Sequence, residues 1–169
     1  FATALRLSRE RGRLMKEAGE RLPGGMAAVI GLEDSVLAQV CQEASDGRGR
    51  VEIANFNSPG QIVLSGEKGA LERARLLALE RGARHVIPLA VSIPGHCYLM
   101  REAAEAFAPF VCQAKGVQDL SVPLVSNITA RPLRTAQEVR EELVQQLTRP
   151  VQWVGVVRYM IEEGVQTFV

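Results

Sequence analysis

Three polar residues break the pattern around them, and each is of a type that moves protons or holds anions. His96 sits in Val-Ser-Ile-Pro-Gly-His-Cys-Tyr-Leu-Met, residues 91–100, between an apolar strand and an amphipathic helix. It shares an inward face with Met100, Ala103 and Phe107. At a helix start the positive end of the peptide dipole disfavours imidazolium and leaves a neutral ring able to accept a proton. That is the description of a general base, although a lone histidine on such a face is more often a satisfied, half-buried one. Cys97 beside it does not complete a Cys-His pair, because the side chains of neighbouring helical residues point apart.

Arg11 is the second. Ala4, Leu7, Leu14, Met15 and Ala18 recur at helical spacing, and Arg11 falls on that stripe while Arg6, Arg9, Arg13, Lys16 and Glu17 lie largely elsewhere. A guanidinium facing inward requires an anion, and its planar fork suits a carboxylate, whether from a neighbouring acid or from a ligand. A structural ion pair or a snorkelling side chain is the commoner fate of such an arginine. The third is Gln146, in Gln-Gln-Leu-Thr-Arg-Pro (145–150). A helix ending near 148 leaves its last carbonyls without intrahelical partners, so the Gln146 oxygen is free to orient a histidine through Nδ1; water is the usual occupant of such a carbonyl.

The elements that must position these residues fall into two patterns. Residues 25–31 form a short apolar run after Pro-Gly-Gly, and Leu37, Val40, Cys41 and Ala44 then repeat at helical spacing up to Asp46-Gly47-Arg48-Gly49. Strands over 51–56 and 61–65 flank the turn Asn57-Ser58-Pro59-Gly60. Ala70, Ala74, Leu77 and Ala78 mark a second helix, and 84–91 a fourth strand. The order βαββαβ over 24–90 is the ferredoxin-like pattern, a compact unit that hosts many unrelated functions. The flanks, 1–23 and 91–169, alternate helix and strand as α/β layers do. Helices are predicted over 2–18, 97–114 and 153–163, strands over 122–126 and the apolar 165–169. Thr135-Ala136-Gln137-Glu138 has capping-box spacing for a helix from 136 that Pro150 ends.

The 169 residues carry a net charge of +1 from 20 basic and 19 acidic side chains, interspersed without single-sign blocks, which does not suggest a nucleic-acid partner. Cys41, Cys97 and Cys112 lack Cys-x-x-Cys spacing, which argues against a disulfide framework or a structural zinc site and makes a reducing cytosol the default compartment. No apolar stretch approaches the length of a membrane span. The first residue is Phe, the chain opens inside a helical pattern, and neither end reads as a natural terminus.

Four motifs stand in order: Arg-Gly-x-x-Met (Arg11, Gly12, Met15), Asn-Phe-Asn-Ser-Pro-Gly-Gln (55–61), Val-Ser-x-Pro-x-His-Cys-x-Leu-Met (91–100) and Gln-Leu-x-x-Pro-Val-Gln-Trp (146–153). Together they resemble bacterial malonyl-CoA:acyl carrier protein transacylases across essentially the whole chain. The resemblance implies an α/β-hydrolase-like acyltransferase subdomain with a ferredoxin-like small subdomain inserted into it. It also implies ping-pong acyl transfer: a serine in a Gly-His-Ser-x-Gly elbow takes malonyl from coenzyme A and passes it to the phosphopantetheine thiol of acyl carrier protein. The elbow would precede Phe1 and a Gly-Pro-Gly segment would follow Val169, so the 169 residues alone are expected not to transfer malonyl.

By the same resemblance, His96 is the general base, Arg11 grips the malonyl carboxylate, and the Gln146 main-chain carbonyl orients the histidine. Met15, Gly95, Asn57 and Asn127 are expected at the substrate, Gly95 where family members often carry a larger residue that shapes the acyl pocket. No metal and no cofactor is implied beyond the substrate malonyl-CoA. A polyketide-synthase acyltransferase domain is an alternative within the same chemistry. A non-enzymatic ferredoxin-like binding module over 24–90 is an alternative of another class, although Phe56 is the one aromatic residue in its four strand patterns.

Overall fold

The computed structural model describes all 169 residues as an α/β protein. A long helix, α1 (Ala2–Arg21), leads into β1 (Gly24–Ile30), α2 (Asp34–Ala44), β2 (Val51–Ser58), β3 (Gln61–Glu67), α3 (Lys68–Glu80) and β4 (His85–Pro88). The four strands form one sheet in the order β2-β3-β1-β4, with every neighbouring pair antiparallel.

Strand alternation gives this sheet two faces with different work. Val29, Val51, Ile62 and Leu64 point to one side and join Leu37, Val40, Cys41 and Ala44 of α2 and Ala70, Ala74 and Ala78 of α3 in a continuous core. Alanines on α3 let that helix lie close to the strands. The opposite face carries Ala28, Ala54 and Val63 with Met26 and Leu89 beside them. Register sets Met26 and Glu52 each across from Ser65, so these three share that second face.

The rest of the chain builds a helical layer. A single 3₁₀ turn (Tyr98–Met100) precedes α4 (Arg101–Cys112). A two-residue ribbon follows, β5 (Leu124–Val125) with β6 (Pro132–Leu133), then α5 (Ala136–Gln145) and α6 (Trp153–Glu162). Leu14, Met15 and Ala18 of α1 pack against Met100, Ala103, Phe107 and Val111, with Leu147 closing the cluster. α5 opens on the predicted capping box: the Thr135 hydroxyl accepts from the Glu138 N–H while the Glu138 carboxylate accepts from the Thr135 N–H.

Several boundaries differ from the sequence reading. Residues 165–169 are exposed and form no strand, because an apolar run becomes a strand only beside a partner edge. The strand expected over 122–126 shrinks to two residues, since the ribbon turns back at Ser126, whose hydroxyl accepts from the N–H groups of Ile128 and Thr129. Of 84–91 only His85–Pro88 are strand, the length over which β1 offers an edge. The helix predicted from 97 starts at Arg101 instead. α5 ends at Gln145, well before Pro150, by tightening into turns in which Leu147 and Thr148 donate to the carbonyls three residues back.

Candidate functional site

Pro94-Gly95 brings the chain off the sheet unit and His96 turns it into the helical layer with φ +60, a left-handed conformation that costs an L residue about 1–2 kcal/mol and persists only where the surroundings over-determine it. The end of α5 supplies part of that determination. The His96 N–H donates to the Leu147 carbonyl at 3.1 Å, and the ring Nδ1 lies 2.8 Å from the Gln146 carbonyl oxygen. A carbonyl can only accept, so Nδ1 carries the proton and Nε2 is left with a free lone pair in the neutral ring. Burial pushes the His96 pKa down from its ordinary value of 6.5, and the positive charge of Arg11 pushes the same way, against the hydrogen bond to the Gln146 carbonyl. Burial is the first cause, acting on a ring two residues ahead of the 3₁₀ turn that leads into α4.

Arg11 answers the choice between ion pair and open anion site. It makes no salt bridge; the nearby acids Glu10 and Glu17 are both bonded to Arg13 at 2.8 and 2.7 Å. Its Nε is buried without a hydrogen-bond partner, and desolvation lowers its pKa. The side chain lines a cavity of about 310 Å³ with Ala4, Leu7, Ser8, Phe107 and Leu143. A guanidinium held this way is costly unless an anion is supplied from outside.

Met15 is 5% exposed, and a Cβ added at Gly95 would lie 3.9 Å from its Cε and 4.0 Å from the Met26 Sδ, so the space beside the histidine is bounded by two flexible thioethers. Cys97 is fully buried, donates to the Pro94 carbonyl at 3.3 Å and has its pKa raised, first by burial, which leaves it an unreactive thiol. No group of three or more His, Cys, Asp or Glu side chains is placed to hold a metal ion.

No protein-family model matches the chain. Individual proteins do. It is 42% identical over 166 residues, 98% of its length, to the malonyl CoA-acyl carrier protein transacylase of Escherichia coli K12, of which that stretch is 53%. Its match to the Bacillus subtilis protein of the same description is 39% identical and takes in 100% of the chain and 53% of that protein. A solved malonyl-transacylase, in complex with a type II PKS acyl-carrier protein, superimposes with a TM-score of 0.92 at 40% identity over 96% of this chain and 52% of its own. The chain is a homologue of the malonyl CoA-acyl carrier protein transacylases. It spans about half the length of the curated relatives it matches.

Within this transacylase homologue the predicted site residues do not all converge. His96 is bonded to Gln146 and Gly95 lies against Met15, while Arg11, whose charge acts on the His96 ring, lines a cavity with Phe107 and Leu143 that does not take in the histidine. Asn57 lies elsewhere, at the end of β2, in a cavity of about 570 Å³ bounded by Pro59, Trp153, Val157 and Ile161 of α6. Asn127 is tied into scaffolding: its N–H donates to Glu142 at 2.9 Å and its carbonyl accepts from Gln152 at 2.7 Å, holding the segment that runs beside β2, where Val151 exchanges bonds with Ala54 and Phe56. Sequence reasoning missed the Leu147 carbonyl and Met26. For Met26 a signal existed in the strand alternation, which sets it on the same face as Ala28; for Leu147 there was none, because any residue supplies a carbonyl.

Proposed function

We propose that this chain is the histidine-bearing segment of a malonyl-CoA:acyl carrier protein S-malonyltransferase of fatty acid biosynthesis, in which it holds the base and the carboxylate clamp while a serine outside these 169 residues is the nucleophile. In this reading the Nε2 lone pair of His96 takes the serine proton as the hydroxyl oxygen attacks the malonyl thioester carbon. The carbon–sulfur bond then breaks and the coenzyme A thiolate leaves with that proton. In the second half the phosphopantetheine thiol of acyl carrier protein gives its proton to Nε2, attacks the acyl-serine and releases the serine oxygen, which is reprotonated from the ring. Base assistance of this kind is commonly worth about 10²–10⁴ in rate. The Gln146 carbonyl keeps the ring in the one tautomer that does this, in the position a carboxylate holds in other triads.

The observation that carries the reading is the Arg11 guanidinium, whose Nε is buried with no partner on the wall of a cavity. A free malonyl carboxylate supplies what it lacks, and neither acetyl nor a long-chain acyl group does. Met15 and Gly95 would bound the acyl group, and Asn57 and Asn127 would act at the cleft edge and in its scaffolding. Residues 24–90 are read as a ferredoxin-like subdomain on the strength of the β2-β3-β1-β4 order, set into an α/β-hydrolase-like subdomain to which 1–23 and 91–169 belong. Three unpaired cysteines support a cytoplasmic enzyme, and the chemistry as written uses no bound cofactor.

The test is selectivity in the full-length protein. Arg11→Ala weakens transfer of malonyl far more than transfer of acetyl, because only malonyl carries the free carboxylate. Equal losses with both acyl groups would remove Arg11 from the site and the malonyl assignment with it.

A further inference from the structure

The second face of the four-stranded sheet, turned away from α2 and α3, is not bare. Pro94 packs against Gly24, where any Cβ would meet the proline ring at 2.7 Å. Met26 closes on Gly95. Ser65 on the same face is fully buried, and its hydroxyl has no hydrogen-bond partner. The Tyr98 N–H, in the first turn where helical donors have no intrahelical partner, donates to the Glu52 Oε2 at 2.9 Å. The Tyr98 hydroxyl donates to the Glu67 Oε1. Arg50 completes the group, paired with Glu52 and with its guanidinium 5.2 Å from the centre of the Tyr98 ring. Pro94, Gly95 and Tyr98 of the histidine loop therefore rest on one sheet face, and two carboxylates from that face are bonded to the residue two positions beyond His96.

We propose that Glu52 and Glu67 are positioning residues for His96, holding its left-handed peptide in place through Tyr98. The geometry requires a restraint on this side. Gln146 and Leu147 fix the ring and the N–H of His96, but a peptide at φ +60 relaxes to the right-handed or extended region unless the chain is also held after it. Cys97 is extended, φ −140 and ψ 174, so a displacement of Tyr98 is passed to His96 with no intervening helix to absorb it. Charge-assisted bonds to carboxylates are the strong kind for this task. Two hydrogen bonds from opposite ends of one tyrosine to two adjacent strands also fix direction as well as distance. Of the charged side chains, Arg11 acts on the ring itself, while Glu52, Glu67 and Arg50 meet the loop at Tyr98. The inference rests on the reading of His96 as the base, but its test does not.

The test is an NMR pH titration of His96 in the full-length protein, its ring signal assigned by its loss in His96→Gln. In Glu52→Ala the His96 pKa moves up toward the ordinary imidazole value as the ring gains water, and its Nδ1 proton exchanges with solvent about tenfold faster or more. Glu52→Gln keeps an acceptor oxygen and restores the native titration. Tyr98→Phe keeps the ring packing and gives a smaller change of the same sign. A purely structural role would lower the melting temperature and leave His96 titrating as in the native chain. That result in Glu52→Ala overturns the proposal, and so does a native titration in Tyr98→Phe if Glu52→Ala does not fold. Failure of the full-length protein to transfer malonyl would sink the functional reading and leave this measurement untouched.

Discussion

In the sheet unit, Leu37, Val40, Ala44, Ile62 and Leu64 are sealed under two helices with scarcely an accessible atom; in the helical layer the apolar cluster of Met15, Ala103 and Phe107 closes beside a guanidinium with no partner and an imidazole on a left-handed peptide. Both regions bury similar side chains, yet only one of them buries a charged group and a strained peptide together. The sheet unit satisfies its period, its turns and its alternation together, as a region does when its task is to fold. Each region leaves one buried polar atom unpaired, the Ser65 hydroxyl in the sheet and the Arg11 Nε in the helical layer, but only the helical layer adds a charge and a left-handed non-glycine peptide, which the sheet's second face and the end of α5 grip from two sides.

Substitutions that separate folding from chemistry test this division. The largest contrast is between His96→Ala and Leu64→Ala. The first lowers malonyl transfer by the full-length protein about 10²–10⁴-fold with little change in melting temperature. The second costs about 2–5 kcal/mol of stability, read from urea denaturation, with activity per folded molecule unchanged. A His96→Ala protein that fails mainly by melting early would place the histidine with the core residues.

Arg11→Met gives a smaller effect of opposite sign. Removing a half-buried cation whose Nε has no partner raises stability by about 1 kcal/mol, seen as a higher melting temperature, while malonyl loses its advantage over acetyl. A drop in melting temperature would mean that Arg11 is a packing residue. The smallest effect is with pH. Because His96 titrates below its unfolded value of 6.5, the unfolded chain binds more protons in that window. The contribution of the neutral ring is therefore complete above about pH 6.5 and is lost as pH falls through the folded pKa. His96→Gln flattens that part of the stability profile in denaturation experiments across this range, and an unchanged slope would show that the ring is not desolvated.

Legibility followed the range of the forces involved. All four residues read as the inward face of α2 are buried, and the capping box of α5 is in place, because both depend on neighbours within a few positions. The run 165–169 was misread for the complementary reason: its strand character needed an edge that no local pattern reports. Of the site, residue types and order were readable, and Arg11 stood out on its stripe. Glu52, Glu67 and Tyr98 gave no sign, since each looks like an ordinary half-exposed polar residue until β2 and β3 are set under the loop.

What the sequence by itself determined is therefore the periodic scaffold and the presence of a base and a cation far apart along the chain. Tertiary structure alone decided that Nδ1 of His96 faces a carbonyl and so carries the proton, that no carboxylate reaches Arg11, and that burial holds the ring's pKa down. Tautomer, pairing and burial are set by atoms 50 or more residues away, as Gln146 is from His96. No propensity or period within a window carries that information.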